Sequence, residues 1–161
     1  MLPKIDPKNF KLELTRDNYS LIAIPPQMIV LVWEALKDEL EKEPELWNIA
    51  HSIHSLHDHI DRGCIKVWGI IDVENKFKMF FFTVEEEYPM LKLLKVTWCS
   101  GTNLKQYLGV ILFGLDVYCQ RNNIDATLID GREGWGPVIA PFGYSRVQTT
   151  FMKRVVSTRT N

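Results

Sequence analysis

The sequence predicts an α/β fold: a mixed sheet, built of an antiparallel meander plus one parallel β-α-β unit, with helices on both faces. Three observations predict it. Between residues 27 and 61 the apolar residues recur at helical spacing. After Gly63 the pattern changes to three runs rich in β-branched and aromatic residues, CIKVWGIIDV, KFKMFFFTV and MLKLLKVTW, joined by short connections. A helical stretch over residues 103–121 then separates the last run from a further strand-like run, DATLID. A strand, a crossover helix and a strand form one right-handed parallel unit.

Each element has a local reason. Residues 1–10 carry Pro3 and Pro7 and read as an irregular lead, with residues 1–9 loose. KLELTRDNYSLIAI reads as two short strands around Arg16-Asp17-Asn18. Pro25-Pro26 interrupts them. From Gln27, residues Met28, Leu31, Val32, Ala35, Leu36 and Leu40 form an apolar face opposite Glu34, Lys37, Asp38 and Glu41. Pro44 restarts the chain, and a second helix is expected from there to about Asp61, stopping before Gly63. Glu74-Asn75 and residues 85–89 separate the three meander strands, which places Glu85, Glu86 and Glu87 on a turn. Leu104, Tyr107, Leu108, Ile111, Leu112, Leu115, Val117 and Tyr118 give the next helix a broad apolar face, and Asn122-Asn123 ends it. Residues 134–140 read as a short helix or turn. Residues 145–155 read as a last strand, and 156–161 as a loose end.

Composition bounds the function. The chain has 161 residues, enough for one well-buried domain, expected to span 1–161. Hydrophobic residues make up 46% and charged residues 24%, which excludes disorder over most of its length. Lys plus Arg number 19 and Asp plus Glu 20, so no nucleic-acid partner is expected. The longest uninterrupted apolar run, Met28 to Trp33, is far below the roughly 20 residues of a membrane span. MLPKIDPKNF has no apolar core of a secretory signal, so secretion by that route is not expected. Cys64, Cys99 and Cys119 are too dispersed for a zinc or redox pair and read as reduced thiols in apolar surroundings.

KLLKVTWCSGTNLKQYLGVILFGLDVYCQRNNIDATLIDGREGWGPVIAPFGYSRVQTTFMKRV carries strand, helix, strand, short helix and a Gly-aromatic step in succession. That order resembles the GNAT fold, the Gcn5-related N-acetyltransferase family, over roughly residues 10–155. Phe142-Gly143-Tyr144 stands where the family usually has Gly-Phe before its last strands. GREGW at 131–135, followed by Gly143-Tyr144, is similar to small GNAT-like proteins of tailed bacteriophages, some of which are internal virion proteins.

The resemblance implies an acetyl-CoA site after the strand ending near Trp98. Active members carry Arg/Gln-x-x-Gly-x-Gly/Ala there. Glycines let the backbone approach the pyrophosphate, and the helix N-terminus holds its charge. The matching residues are Ser100, Gly101, Thr102 and Asn103, with one glycine only and a shortened loop. Ser100, Thr102 or Asn103 can equally cap the helix. Many members place a Tyr about four residues before the Gly-Phe as the acid; here that position is Ile139, which has no proton to donate. Tyr144 and Tyr107 are the nearest phenols, and Glu85, Glu86 or Glu87 is the candidate base. The same glutamates read equally as a solvated, edge-protecting charge run. Arg132 and Trp135 would face an anionic and a stacking group of a ligand, or pin a turn.

All four histidines fall between residues 51 and 59. On a helix, His51, His54, Asp58 and Asp61 share an arc of about 80°. His51, His54 and Asp58 are therefore the candidate ligands of a divalent metal, against a solvated face or a pH-responsive contact. Nucleophile elbows, Walker loops and HExxH are absent from the sequence.

Two functions follow. The depleted cradle and missing phenol favour a catalytically degenerate GNAT-like phage protein, a virion or assembly component that meets protein partners, in the virion or host cytoplasm, with no cofactor. The alternative is an acetyl-CoA-dependent N-acyltransferase with a divergent pyrophosphate loop.

Overall fold

A computed structural model describes residues 10–47, 50–100, 104–130, 135–147 and 152–153. The chain divides into two compact units, residues 1–131 and 132–161. The first contains one six-stranded sheet in the order β1-β2-β3-β4-β5-β6. Its strands are β1 (Lys11–Arg16), β2 (Tyr19–Ile24), β3 (Lys66–Ile71), β4 (Phe77–Tyr88), β5 (Leu91–Cys99) and β6 (Ala126–Ile129). The first four junctions are antiparallel, and β5 runs parallel to β6. The mixed sheet, the meander and the single parallel pair predicted from the sequence are therefore present.

Asp17 and Asn18 both have positive φ, at 52° and 68°. Two left-handed residues make the turn whose twist matches that of the flanking strands, so Asp-Asn closes the β1–β2 hairpin. Leu21 alternates with Ile22 and Trp68 with Val67, which sends apolar side chains to both sheet faces. Phe80, Phe81 and Phe82 are all buried, as that two-sided covering requires.

One face is covered by α1 (Trp33–Lys42) and α2 (Ile53–Asp61). Leu36, Leu40, Leu56 and Ile60 join Ile22, Ile24, Val67, Phe80, Phe82 and Trp98 in one core. The other face is covered by α3 (Leu104–Arg121). Tyr118 meets Trp68 edge-on at 5.0 Å, and Trp68 stacks on Phe81 at 5.9 Å. Gly114 lets α3 close on the hairpin, because a Cβ there would collide with the buried Leu21 side chain.

Four boundaries differ from the sequence expectation. The helix expected from Gln27 is a 3-10 turn over Pro26–Leu31 followed by α1. The 3-10 period of three buries Ile29 and Val32 and leaves Leu31 exposed, where a continuous α-helix would have buried Leu31. The second helix starts at Ile53, not Pro44; Pro44–Leu46 is a separate 3-10 turn. Ser52 and Ser55 cap α2 reciprocally, each side chain accepting from the other's backbone N–H. Glu85, Glu86 and Glu87 are strand residues, because β4 continues to Tyr88 against β5. Among the described residues of 145–155 none is strand; residues 148–151 and 154–155 lie outside the description.

The second unit holds α4 (Gly136–Ile139), then a 3-10 turn over Ala140–Phe142 that ends at Gly143 with φ 93°.

Candidate functional site

β5 carries one irregularity in its pairing with β4. On the β4 side, Phe82 pairs with Trp98 and Thr83 with Val96, so Thr97 is one extra residue on β5. Such a bulge bends its strand and breaks the ladder. On the β6 side, pairing runs from Leu93↔Ala126 to Val96↔Ile129 and closes with the Asp130 N–H donating to the Val96 carbonyl at 3.2 Å. Thr97, Trp98 and Cys99 continue along β4 with no β6 partner among the described residues. The bulge thus directly follows Val96, the last β5 residue with a described β6 partner; residues 131–134 lie outside the description.

The chain then turns into α3. Ser100 gives its N–H to the Phe80 carbonyl at 2.9 Å, and its hydroxyl accepts from the Phe80 N–H at 2.8 Å. Both groups are committed to β4. Ser100 therefore ends a strand, and the capping or pyrophosphate role expected of it is not what its geometry shows. Gly101, Thr102 and Asn103 lie outside the described residues. The first turn of α3 contains no acidic residue and carries exposed Lys105. A helix N-terminus without carboxylates, next to an ammonium, has positive potential suited to an anion.

The glutamates alternate across β4. Glu85 accepts a hydrogen bond from the Tyr118 hydroxyl at 2.8 Å, on the α3 face and toward the C-terminal end of that helix. Glu87 shares that face by strand alternation and is exposed. Glu86 faces the opposite way, on the side of Val84, which packs against the α1–α2 core. It lies 3.8 Å from Lys95, whose ammonium lies 3.2 Å from Asp130 at the end of β6. Burial pulls the Lys95 pKa down, but the hydrogen bond and charge of Asp130, with the charge of Glu86, more than offset this and hold it above the usual lysine value. Lys95 is thus a cation between two carboxylates at the end of the described β5–β6 pairing. The sequence reading missed this trio. The alternation of KLLKVTW and the parallel register with DATLID are the signals that would have found it.

In the second unit Trp135 precedes α4, and Tyr144 follows the left-handed Gly143; both are half-buried. Ile139 is the last residue of α4. Arg132 lies outside the described residues.

The histidines do not converge. His51 precedes the α2 cap, its Nδ1 3.1 Å from the Ser55 hydroxyl and its ring 4.9 Å from that of His59. Burial, then the charge of His59, lowers the His51 pKa. Asp58 pairs with Arg62 at 3.2 Å, His57 pairs with Asp61 at 3.0 Å, and His54 is exposed. Among the described residues no group of three His, Cys, Asp or Glu side chains is placed to hold a metal. The arc expected of His51, His54 and Asp58 required a helix through His51, and the Ser52 cap starts that helix only at Ile53.

The cysteines are free, and Cys64 is exposed rather than packed in the core. Burial pushes the Cys99 thiol up to about 12 and raises that of Cys119 as well. A group with so raised a pKa stays a neutral thiol at neutral and mildly alkaline pH, and only the thiolate is nucleophilic. Iodoacetamide should therefore label Cys64 first in the folded protein, with Cys99 and Cys119 reacting only on unfolding. Peptide mass spectrometry over a labelling time course reads this order.

Two antiparallel strands, two helices, a meander, a crossover helix and a parallel strand make up the GNAT acetyltransferase fold, and this chain has that fold. An aminoglycoside acetyltransferase from an uncultured soil metagenomic sample superposes with a TM-score of 0.60 at 10% identity, over 88% of this chain and 98% of that one. A predicted acetyltransferase with acetyl-CoA from Clostridium acetobutylicum gives 0.55 at 11% identity, over 84% and 96% of the two chains. Glucosamine-6-phosphate N-acetyltransferase from Arabidopsis thaliana gives 0.55 at 12%, over 86% and 99%. At these identities the likeness shows the fold, and a fold hosts more than one function. No protein-family profile matches the chain, and none of the curated protein sequences does. No helix among the described residues is long and apolar enough to cross a membrane.

Proposed function

We propose that this chain is an acetyl-CoA-dependent N-acyltransferase. The observation that carries the reading is the Thr97 bulge, which breaks the β4–β5 ladder directly after Val96, the last β5 residue with a described β6 partner, and shortly before the acid-free first turn of α3. The residues suit the donor. The edge of Thr97–Cys99, which has no β6 partner among the described residues, would offer backbone groups to the pantetheine amides, and the first turn of α3 with Lys105 offers positive potential to the pyrophosphate. The bound thioester would supply the activated acyl group. Glu86 and Asp130 lie at the end of the described β5–β6 pairing, where carboxylates would attract an ammonium acceptor, and Lys95 between them limits their negative charge. Glu85 and Glu87 lie on the α3 face, away from this cluster, which makes them weaker candidates for the base.

Calorimetric titration with acetyl-CoA tests the reading. Saturable binding is expected, weakened about tenfold or more by Lys105→Glu, since a charge reversal removes an attraction and adds a repulsion at the helix end. Incubation with a panel of primary amines should then yield an acetylated product by mass spectrometry. No heat at millimolar acetyl-CoA would overturn the reading. The one-glycine loop and Ile139 would then favour the non-catalytic alternative, a virion or assembly component, to be sought in assembled particles.

A further inference from the structure

Two histidine rings meet along α2. His51 precedes the helix and His59 lies in its last turn, with ring centroids 4.9 Å apart. Both reach one residue, Ser55. The His51 Nδ1 lies 3.1 Å from the Ser55 hydroxyl, and the His59 Nδ1 donates to the Ser55 carbonyl at 2.8 Å. The same hydroxyl accepts from the Ser52 N–H at 2.9 Å, and the Ser55 N–H donates to the Ser52 hydroxyl at 3.1 Å. One serine thus holds the helix cap and both rings.

Among the described residues no carboxylate pairs with either ring. The other charged groups of α2 are placed elsewhere: His57 lies between Trp33 of α1 and Asp61, Asp58 pairs with Arg62, and His54 is exposed. Ile29 of the first 3-10 turn and Leu36 and Leu40 of α1 meet Leu56 and Ile60 in the apolar core and bring no charge. Cys64 donates its N–H to the His59 carbonyl, and a thiol carries no charge at acid pH. Two imidazolium rings in contact repel each other. The helix dipole favours a positive charge at the end that holds His59 and opposes one before the N-terminus, where His51 stands.

We infer that His51, Ser55 and His59 form a proton-operated latch on the start of α2, closed while at most one ring is charged and released when both are. In the released form the His51 ring turns to solvent; it is half-buried and precedes the helix, so Leu56 and Ile60 stay in the core. Burial, then the charge of His59, holds the His51 pKa below the ordinary 6.5. A histidine that the fold keeps neutral contributes stability above pH 6.5, and this stability is lost as the pH falls through the window below it. The latch does not rest on acyl transfer.

NMR of the full chain without acetyl-CoA, from pH 8 to pH 4.5, is the test. It follows the imidazole signals and the hydrogen exchange of the Ser52 and Ser55 amides, corrected for the intrinsic pH dependence of exchange. His51 should titrate below 6.5. Exchange at Ser52 and Ser55 should rise about threefold or more as it does, the effect of about half a pKa unit. Amides of Leu108 and Leu115 in α3 report global opening and should not follow. His59→Asn keeps a donor for the Ser55 carbonyl and removes the charge, so the His51 midpoint should move up and the exchange response shrink. His51→Asn should abolish that response. Circular dichroism checks that both variants fold. His51 titrating at 6.5 or above, a His51 midpoint unmoved by His59→Asn, or corrected exchange that stays flat or rises equally in α3 would overturn the inference.

Discussion

Phe81→Ala should lower the free energy of unfolding by about 4 kcal/mol, as large-to-small changes at fully buried aromatic positions do. Phe81 is 0% exposed and lies flat on Trp68, which is also 0% exposed. Tyr118 closes the far side of Trp68. The truncation leaves a void that the Trp68 and Tyr118 rings and a strand cannot fill by small shifts. The loss is a large share of the 5–15 kcal/mol that holds a typical domain together. Urea unfolding followed by tryptophan fluorescence should show a lower midpoint with an unchanged slope. A loss under about 1 kcal/mol would mean that α3 does not seal this face of the sheet.

Deleting Thr97 should abolish saturable acetyl-CoA binding while the protein stays folded. Thr97 is the one extra residue between the Thr83↔Val96 and Phe82↔Trp98 pairs. Its removal makes the β4–β5 ladder regular and leaves every other side chain on its present face, so the buried positions of Phe82, Trp98 and Val96 are kept. What goes is the bend of β5 directly after its last described pairing with β6. Affinity should fall at least about a hundredfold, roughly 2.7 kcal/mol, with little change in thermal stability. Calorimetry on the variant beside the parent chain decides it. Unchanged affinity would show that the bulge does not make the donor site.

Local chemistry made much of this legible. Asp17-Asn18 announces a hairpin, and Gly63 separates a helical period from a strand period. The KLLKVTW, helix, DATLID succession contains the parallel unit. These are short-range signals, because turn conformation and side-chain periodicity depend on neighbours a few residues away. The candidate site was less legible for the same reason. Glu85–Glu87 look like a turn by charge, yet β5 offers hydrogen-bond partners as far as Tyr88, and pairing outweighs the weak strand propensity of glutamate. Ser100 looks like a helix cap, yet Phe80 lies within reach and takes both of its groups. His51 looks like part of a helical arc, yet the Ser52–Ser55 pair sets the helix start after it.

By itself the sequence determined the class of fold, the order of its elements and the two-sided burial of the sheet. These follow from hydrophobic period and turn chemistry, which each segment carries alone. The tertiary structure alone decided where the β4–β5 ladder is broken, which carboxylates share a face with Lys95, and that Lys66, Tyr118 and Glu85 form one row. Register is the reason: a single extra residue at Thr97 shifts every pairing beyond it, and contacts between residues 33 or 52 positions apart in the chain exist only once the strands and α3 are in place.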